Sequence, residues 1–125
     1  MIYMMSDLHE NMEFGAFNKY ISEDHTHDLL IILGDVGLKL QNTEENEQFT
    51  QYFLSAKCPI APVDGNHENF DFLYSFPVED WNGGKVHKIT DNIVHLMRGH
   101  VFWLEGKRVI DGRHRNVYDI LVCVE

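Results

Sequence analysis

Apolar residues follow two different periods along this chain, and the periods alternate. Met1 to Met5, Leu29 to Leu33 and Pro59 to Val63 are short apolar runs without polar alternation, which predicts strands covered on both faces in a parallel sheet. Between the first and second run, Phe14, Phe17, Tyr20 and Ile21 recur at helical spacing, and Phe49, Tyr52, Phe53 and Ala56 do so before the third. These stripes read as the core-facing sides of crossover helices. Further on, Ile93 to Met97 and His100 to Leu104 predict a β-hairpin, with Glu105-Gly106 turning into a strand from Lys107 to Ile110. The pattern as a whole predicts an α/β fold in which parallel strands with crossover helices are followed by a hairpin.

Polar residues concentrate where the first three runs stop. Asp7-Leu8-His9, Gly34-Asp35-Val36-Gly37 and Gly65-Asn66-His67-Glu68 each follow an apolar run. They recur at intervals of roughly 30 residues, the length of one strand-helix-strand unit. Ligands of parallel sheets gather at the carboxyl ends of the strands, so carboxylate, imidazole and amide groups should meet beside one crevice. In extended chain, Asp7 and His9 share a face while Leu8 points the other way, which lets one metal take both. Gly34 permits a sharp turn as its strand ends, and the two oxygens of Asp35 suffice to bridge two cations. Asn66 offers a neutral oxygen, and His67 beside it can project toward a substrate.

Together these three stretches resemble the first three signature motifs of the calcineurin-like metallophosphoesterases. The resemblance runs on through Phe70-Asp71-Phe72-Leu73 and Gly84-Lys85-Val86-His87 to about Ile110. It implies a metallophosphoesterase-type α/β sandwich and a hydrolase of phosphate esters that uses a metal-activated hydroxide for in-line attack on phosphorus. By the same resemblance Asp7 and His9 hold a first metal, Asp35 bridges, Asn66 holds a second, and His67 is the catalytic residue that protonates the leaving oxygen or stabilises the phosphorane-like transition state. Two divalent cations are implied by the family, drawn from Mn, Fe, Zn or Mg on the chemistry of the donors.

The family pattern also requires a later lone His and a final Gly-His-x-His. Gly99-His100-Val101-Phe102 has Phe at the last position and comes too early to serve. The first metal therefore keeps three protein ligands of the family's four and the second keeps two. A truncated sandwich with one tight metal site is the expectation. Residues 1–110 read as a partial metallophosphoesterase domain and residues 111–125 as a non-matching tail, in which Val117 to Val124 offers one edge strand. A frame break or truncation near Ile110 is the expected reason for this ending, with an unusual natural ending as the alternative.

Composition narrows the partners. With 125 residues the chain builds one domain with a modest core, and 44% hydrophobic residues place it outside the disordered class. A net charge of -10 argues against nucleic acid, whose binding depends on Lys and Arg neutralising phosphates. Part of that charge belongs to the expected metal site, and the remainder to solvated faces such as Glu44-Glu45-Asn46-Glu47. No apolar run is long enough to span a membrane, and the first residues lack the basic flank of a signal peptide. Cys58 and Cys123 have neither metal-type nor redox-type spacing, so two reduced thiols in the cytoplasm are expected.

Other polar residues carry blander readings. Asp24-His25-Thr26-His27-Asp28 contains a His-x-His, but it precedes the second strand whereas Asp35 follows it. Extended chain separates them by roughly 25 Å. Solvent-exposed histidines in a helix-end loop are expected there. His87, His95 and His100 read as surface or cross-strand residues, Arg98 as a hairpin-turn charge, and Glu68 as support for a histidine rather than a ligand. Two competing readings remain for the chain as a whole: a non-catalytic fragment with a residual metal site, and half of a split enzyme completed by another polypeptide. Poor solubility or self-association would result from an uncovered sheet face. The substrate within the phosphate esters is open.

Overall fold

The structure, a computed structural model, describes residues 1–5, 15–34, 36–65, 68–113 and 119–124, with 111–113 and 119–124 described by their backbone. In chain order the elements are β1 (Ile2–Met5), α1 (Gly15–Ser22), β2 (Leu29–Leu33), α2 (Glu44–Leu54), β3 (Ile60–Val63), α3 (Phe70–Tyr74), β4 (Val78–Trp81), β5 (Gly84–Lys88), β6 (Val94–Leu96), β7 (Val101–Leu104), β8 (Lys107–Arg113) and β9 (Asp119–Val124). Six strands form one sheet in the order β1-β2-β3-β6-β5-β4, and β7-β8-β9 form a second. β1, β2, β3 and β6 run parallel, whereas β5 and β4 return antiparallel. The second and third apolar runs thus become strands covered on both faces, as their pattern required, whereas β1, at the edge, leaves Tyr3 and Met4 exposed.

Alternate residues of β2 divide the core in two. Leu30 and Ile32 face the helices, where they meet Phe17 and Tyr20 of α1 and Phe49 and Phe53 of α2. Ile31 faces the second sheet, with Ala61, Val63, Val86, Leu96, Phe102, Leu104 and Val109. The helical stripes face the core at Phe17, Tyr20, Ile21, Phe49, Phe53 and Ala56, while Tyr52 is exposed and Phe14 lies outside the described residues. α2 starts on Thr43, whose hydroxyl accepts the Asn46 amide at 3.1 Å. Between the sheets, Phe102 lies so close to Gly84 that a Cβ there would stand 2.5 Å from its ring. Only a glycine lets the second sheet settle onto β5 at that point.

Two features of the fold depart from the sequence pattern. Ile93–Met97 and His100–Leu104 do not pair with each other: β6 lies between β3 and β5, and β7 pairs with β8. The turn at Gly99, with φ of 84°, carries the chain from one sheet to the other. Leu96 and Phe102 consequently meet face to face in the same core cluster instead of side by side. A hairpin that the apolar pattern passed over joins β4 to β5 through Asn82 and Gly83, both at positive φ. Asn-Gly is the pair that such a turn favours. The segment after Ile110 continues β8 to Arg113, and β9 adds antiparallel to it as one more strand.

Candidate functional site

Strand register brings three segments to one edge of the large sheet. Met5 pairs with Ile32, and Leu33 pairs with Val63, so β1, β2 and β3 end nearly level. Just beyond, Gly34 takes a φ of 93° and turns the chain toward β3. A Cβ on Gly34 would lie 3.1 Å from the Cα of Gly65. The chains leaving β2 and β3 therefore touch through their backbones, one residue before Asp35 and one before Asn66. Asp7, His9, Asp35, Asn66 and His67, the residues expected to hold metal and to protonate the leaving group, lie outside the described residues. Their anchoring points are inside them.

Side chains on either side fasten these turns. Glu68, almost fully buried, accepts the Gly37 amide at 2.8 Å through Oε1 and the Gly65 amide at 3.0 Å through Oε2. One carboxylate thus spans the turn after β2 and the turn after β3. Sequence reasoning assigned Glu68 to supporting a histidine; His67 lies outside the described residues, and the Glu68 carboxylate also accepts the backbone amides of Gly37 and Gly65. Asn46 of α2 donates to the Gly37 carbonyl at 2.8 Å, and Asn69 donates to the Lys39 carbonyl at 2.8 Å. Buried polar backbone that lacks a ladder partner needs such acceptors and donors.

On the other side of β3 lies a cluster that the sequence reading missed. Asp64, fully buried, takes a hydrogen bond from His95 Nε2 at 3.0 Å and another from the Arg98 guanidinium. Burial works to raise the Asp64 carboxyl, but the His95 hydrogen bond and the charges of His95 and Arg98 prevail, holding it below its ordinary value. His95 stacks on His87 of β5 with ring centroids 5.5 Å apart, and its Nδ1 faces the core without a hydrogen-bond partner. The clue was available in Ile93-Val94-His95-Leu96-Met97: a polar residue inside a buried apolar strand needs a buried partner. Arg98 is accordingly more than a turn charge. His87 and His95 are cross-strand neighbours as expected, but both are buried, not on the surface.

The remaining histidines make other contacts. His100 Nδ1 accepts the Lys85 amide at 3.2 Å. His25 and His27 lie near the amino end of β2, the opposite edge of the sheet. His27 is exposed, whereas His25 is half-buried, stacked on Tyr20 at 3.7 Å and bound to Asp28 at 2.9 Å. The aromatic face supplied by α1 is what draws His25 out of solvent. Among the described residues, no group of three or more His, Cys, Asp or Glu could hold a metal ion.

A family model for calcineurin-like phosphoesterases matches residues 1–121. The chain belongs to that family. Searches of curated proteins and of solved structures gave no match. The mixed sheet, with parallel strands, crossover helices on one face and a second sheet on the other, agrees with a phosphoesterase of this family. Membership associates the chain with hydrolysis of phosphate esters and with divalent metals. The donor types at the three strand ends, carboxylate, imidazole and amide oxygen, suit such ions. No described helix is long and apolar enough to cross a membrane.

Proposed function

We propose that the chain is a metal-dependent phosphoesterase centred on the carboxyl ends of β1, β2 and β3. Asp7, His9 and Asp35 would hold one divalent cation, Mn, Fe, Zn or Mg, while Asp35 and Asn66 would reach a second. The observation that carries this reading is the contact of Gly34 with Gly65, which starts Asp35 and Asn66 from adjoining backbone. When bound, paired divalent cations lower the pKa of water and neutralise phosphoryl oxygens. The chain's own residues do the rest. His67 delivers a proton to the departing oxygen, a role suited to imidazole near neutral pH. Glu68 keeps the turns after β2 and β3 at a fixed separation. A phosphate ester is the substrate class, and the net charge of -10 disfavours a nucleic acid backbone.

Calorimetric titration with Mn²⁺, followed by an assay on an aryl phosphate, tests the reading. The parent should take up one equivalent tightly and turn over slowly. Asp35→Asn should lose more affinity than single variants at Asp7, His9 or Asn66, because it removes the charge shared between cations. His67→Ala should keep its metal and lose turnover. Undiminished Mn²⁺ affinity in Asp35→Asn would sink the bridging role.

A second reading, a chain that self-associates or is completed by another polypeptide, has one observation in its favour. Tyr3 and Met4 of β1 are 37% and 53% exposed, and β1 is an edge strand. A cavity of about 320 Å³ opens beside them, lined by Ile2, Met4, Ile31, Leu104 and Val109 among others. Sedimentation of the purified chain separates the readings: a monomer across the micromolar range excludes self-association. The cytoplasmic location also remains part of this proposal, in keeping with the free buried thiol of Cys58.

A further inference from the structure

The fourth parallel strand, β6, also ends at the candidate site's edge, and Met97-Arg98-Gly99 comes directly after it. Arg98 reaches across to Asp64, which stands two residues before Asn66 in the sequence. Asp64 is 0% exposed, and His95, its other partner, is 1% exposed in its side chain. Burying a carboxylate this completely is a costly way to join two strands, since apolar residues of similar volume hold a sheet as well or better. What a hydrogen-bonded charge cluster adds is direction. Its bonds fix the β3 end at one orientation, where apolar packing would tolerate several.

We propose that Asp64, His95 and Arg98 are positioning residues, setting the orientation in which the chain leaves β3 toward Asn66 and His67. The turn is then clamped on both flanks. Glu68 ties it to the segment after β2, and the Asp64 cluster ties it to β6 and to the crossing into the second sheet. None of the three touches substrate or metal. They act through Asn66 and His67, and the inference rests on the metal-site reading only for its effect on metal affinity.

Two measurements on the full chain, one independent of metal, test it. The first is amide exchange at Gly65 in metal-free protein, with Ile31 of β2 as an internal reference. Arg98→Met and His95→Leu should speed Gly65 exchange about tenfold relative to Ile31, whereas Arg98→Lys and His95→Gln, which retain a donor, should recover most of the protection. The second is Mn²⁺ affinity, which should fall about tenfold in Arg98→Met and recover in Arg98→Lys, as for groups that orient metal ligands. Phe53→Leu, in the separate core cluster on the helical face of the sheet, serves as a control for lost stability and should change neither quantity. Unchanged Gly65 exchange in Arg98→Met and His95→Leu overturns the positioning role, whatever the metal result. A parent without Mn²⁺ affinity overturns the metal-site reading alone, and the exchange data then decide the inference. Equal losses in Phe53→Leu, or a raised KM for aryl phosphate at unchanged exchange and metal affinity, also overturn it, the latter by making Arg98 a substrate contact.

Discussion

The two faces of the large sheet are covered by unlike means. On one face, α1 and α2 bring Phe17, Phe49 and Phe53 onto Leu30, Ile32 and Ile60, and the Phe17 and Phe53 rings stack at 5.4 Å. On the other, β7 and β8 rest on Ile31, Ala61, Val63 and Val86, with Phe102 as the one large aromatic among the fully buried residues of that cluster. The helical cover comes from crossovers adjoining the strands they protect. The sheet cover arrives from later in the chain, leaving Met4 exposed and a cavity beside β1. Local connection yields dense aromatic packing, while the distant cover depends on one close fit at Gly84. The candidate site lies at the strand ends between these layers and is fastened chiefly by polar groups.

Substitutions that load each region separately should expose this contrast. The largest loss belongs to the helical face: Phe53→Ala empties a fully buried aromatic site and should cost about 4 kcal/mol in urea denaturation. Next is the site's own fastening, where Asp64→Asn should cost about 3 kcal/mol by breaking a buried ion pair. Its pH signature derives from the lowered folded pKa of Asp64. The carboxylate's contribution is present above the unfolded value, about 4, and is lost as pH falls through the folded one. Stability curves of parent and Asp64→Asn, measured from neutral to acid, should therefore converge on acidification, and parallel curves would refute that account. On the sheet face, Gly84→Ala drives a methyl into the Phe102 ring and should cost about 2 kcal/mol. Smallest is Met4→Lys on the exposed edge strand, within about 0.5 kcal/mol in thermal melts, with any self-association reduced.

Legibility followed the range of the interactions. β2, β3 and the two crossover helices were readable because each has a period maintained by its own residues, and Phe17, Phe49 and Phe53 face inward as that period requires. The partner of β6 was not readable. An apolar strand flanked by turns is equally suited to β7 or to β3 and β5, and the choice depends on Leu96 and Phe102 meeting across the sheets. The Asn82-Gly83 hairpin was readable but was overshadowed by apolar runs elsewhere. At the candidate site, the glycines that bring β2 and β3 together could be named from their motifs. Asp64 could not be assigned from its neighbours alone, because both of its partners lie more than 30 positions away. His25 was misjudged for a related reason: the Tyr20 ring that shelters it belongs to the preceding helix.

β6 has only three residues, yet it stitches the parallel strands to the β4–β5 hairpin. Short ladders of this sort mark the borders of cooperative units, because few bonds need break for one side to part from the other. The hairpin and β6 can then detach together from β3 as a subglobal opening while β1 to β3 stay paired, and proteases should find residues 78–88 before they find the helical face. Since His95 sits in that seam, each such opening also releases Asp64. The seam's lifetime would set how long the turn beside it keeps a single shape.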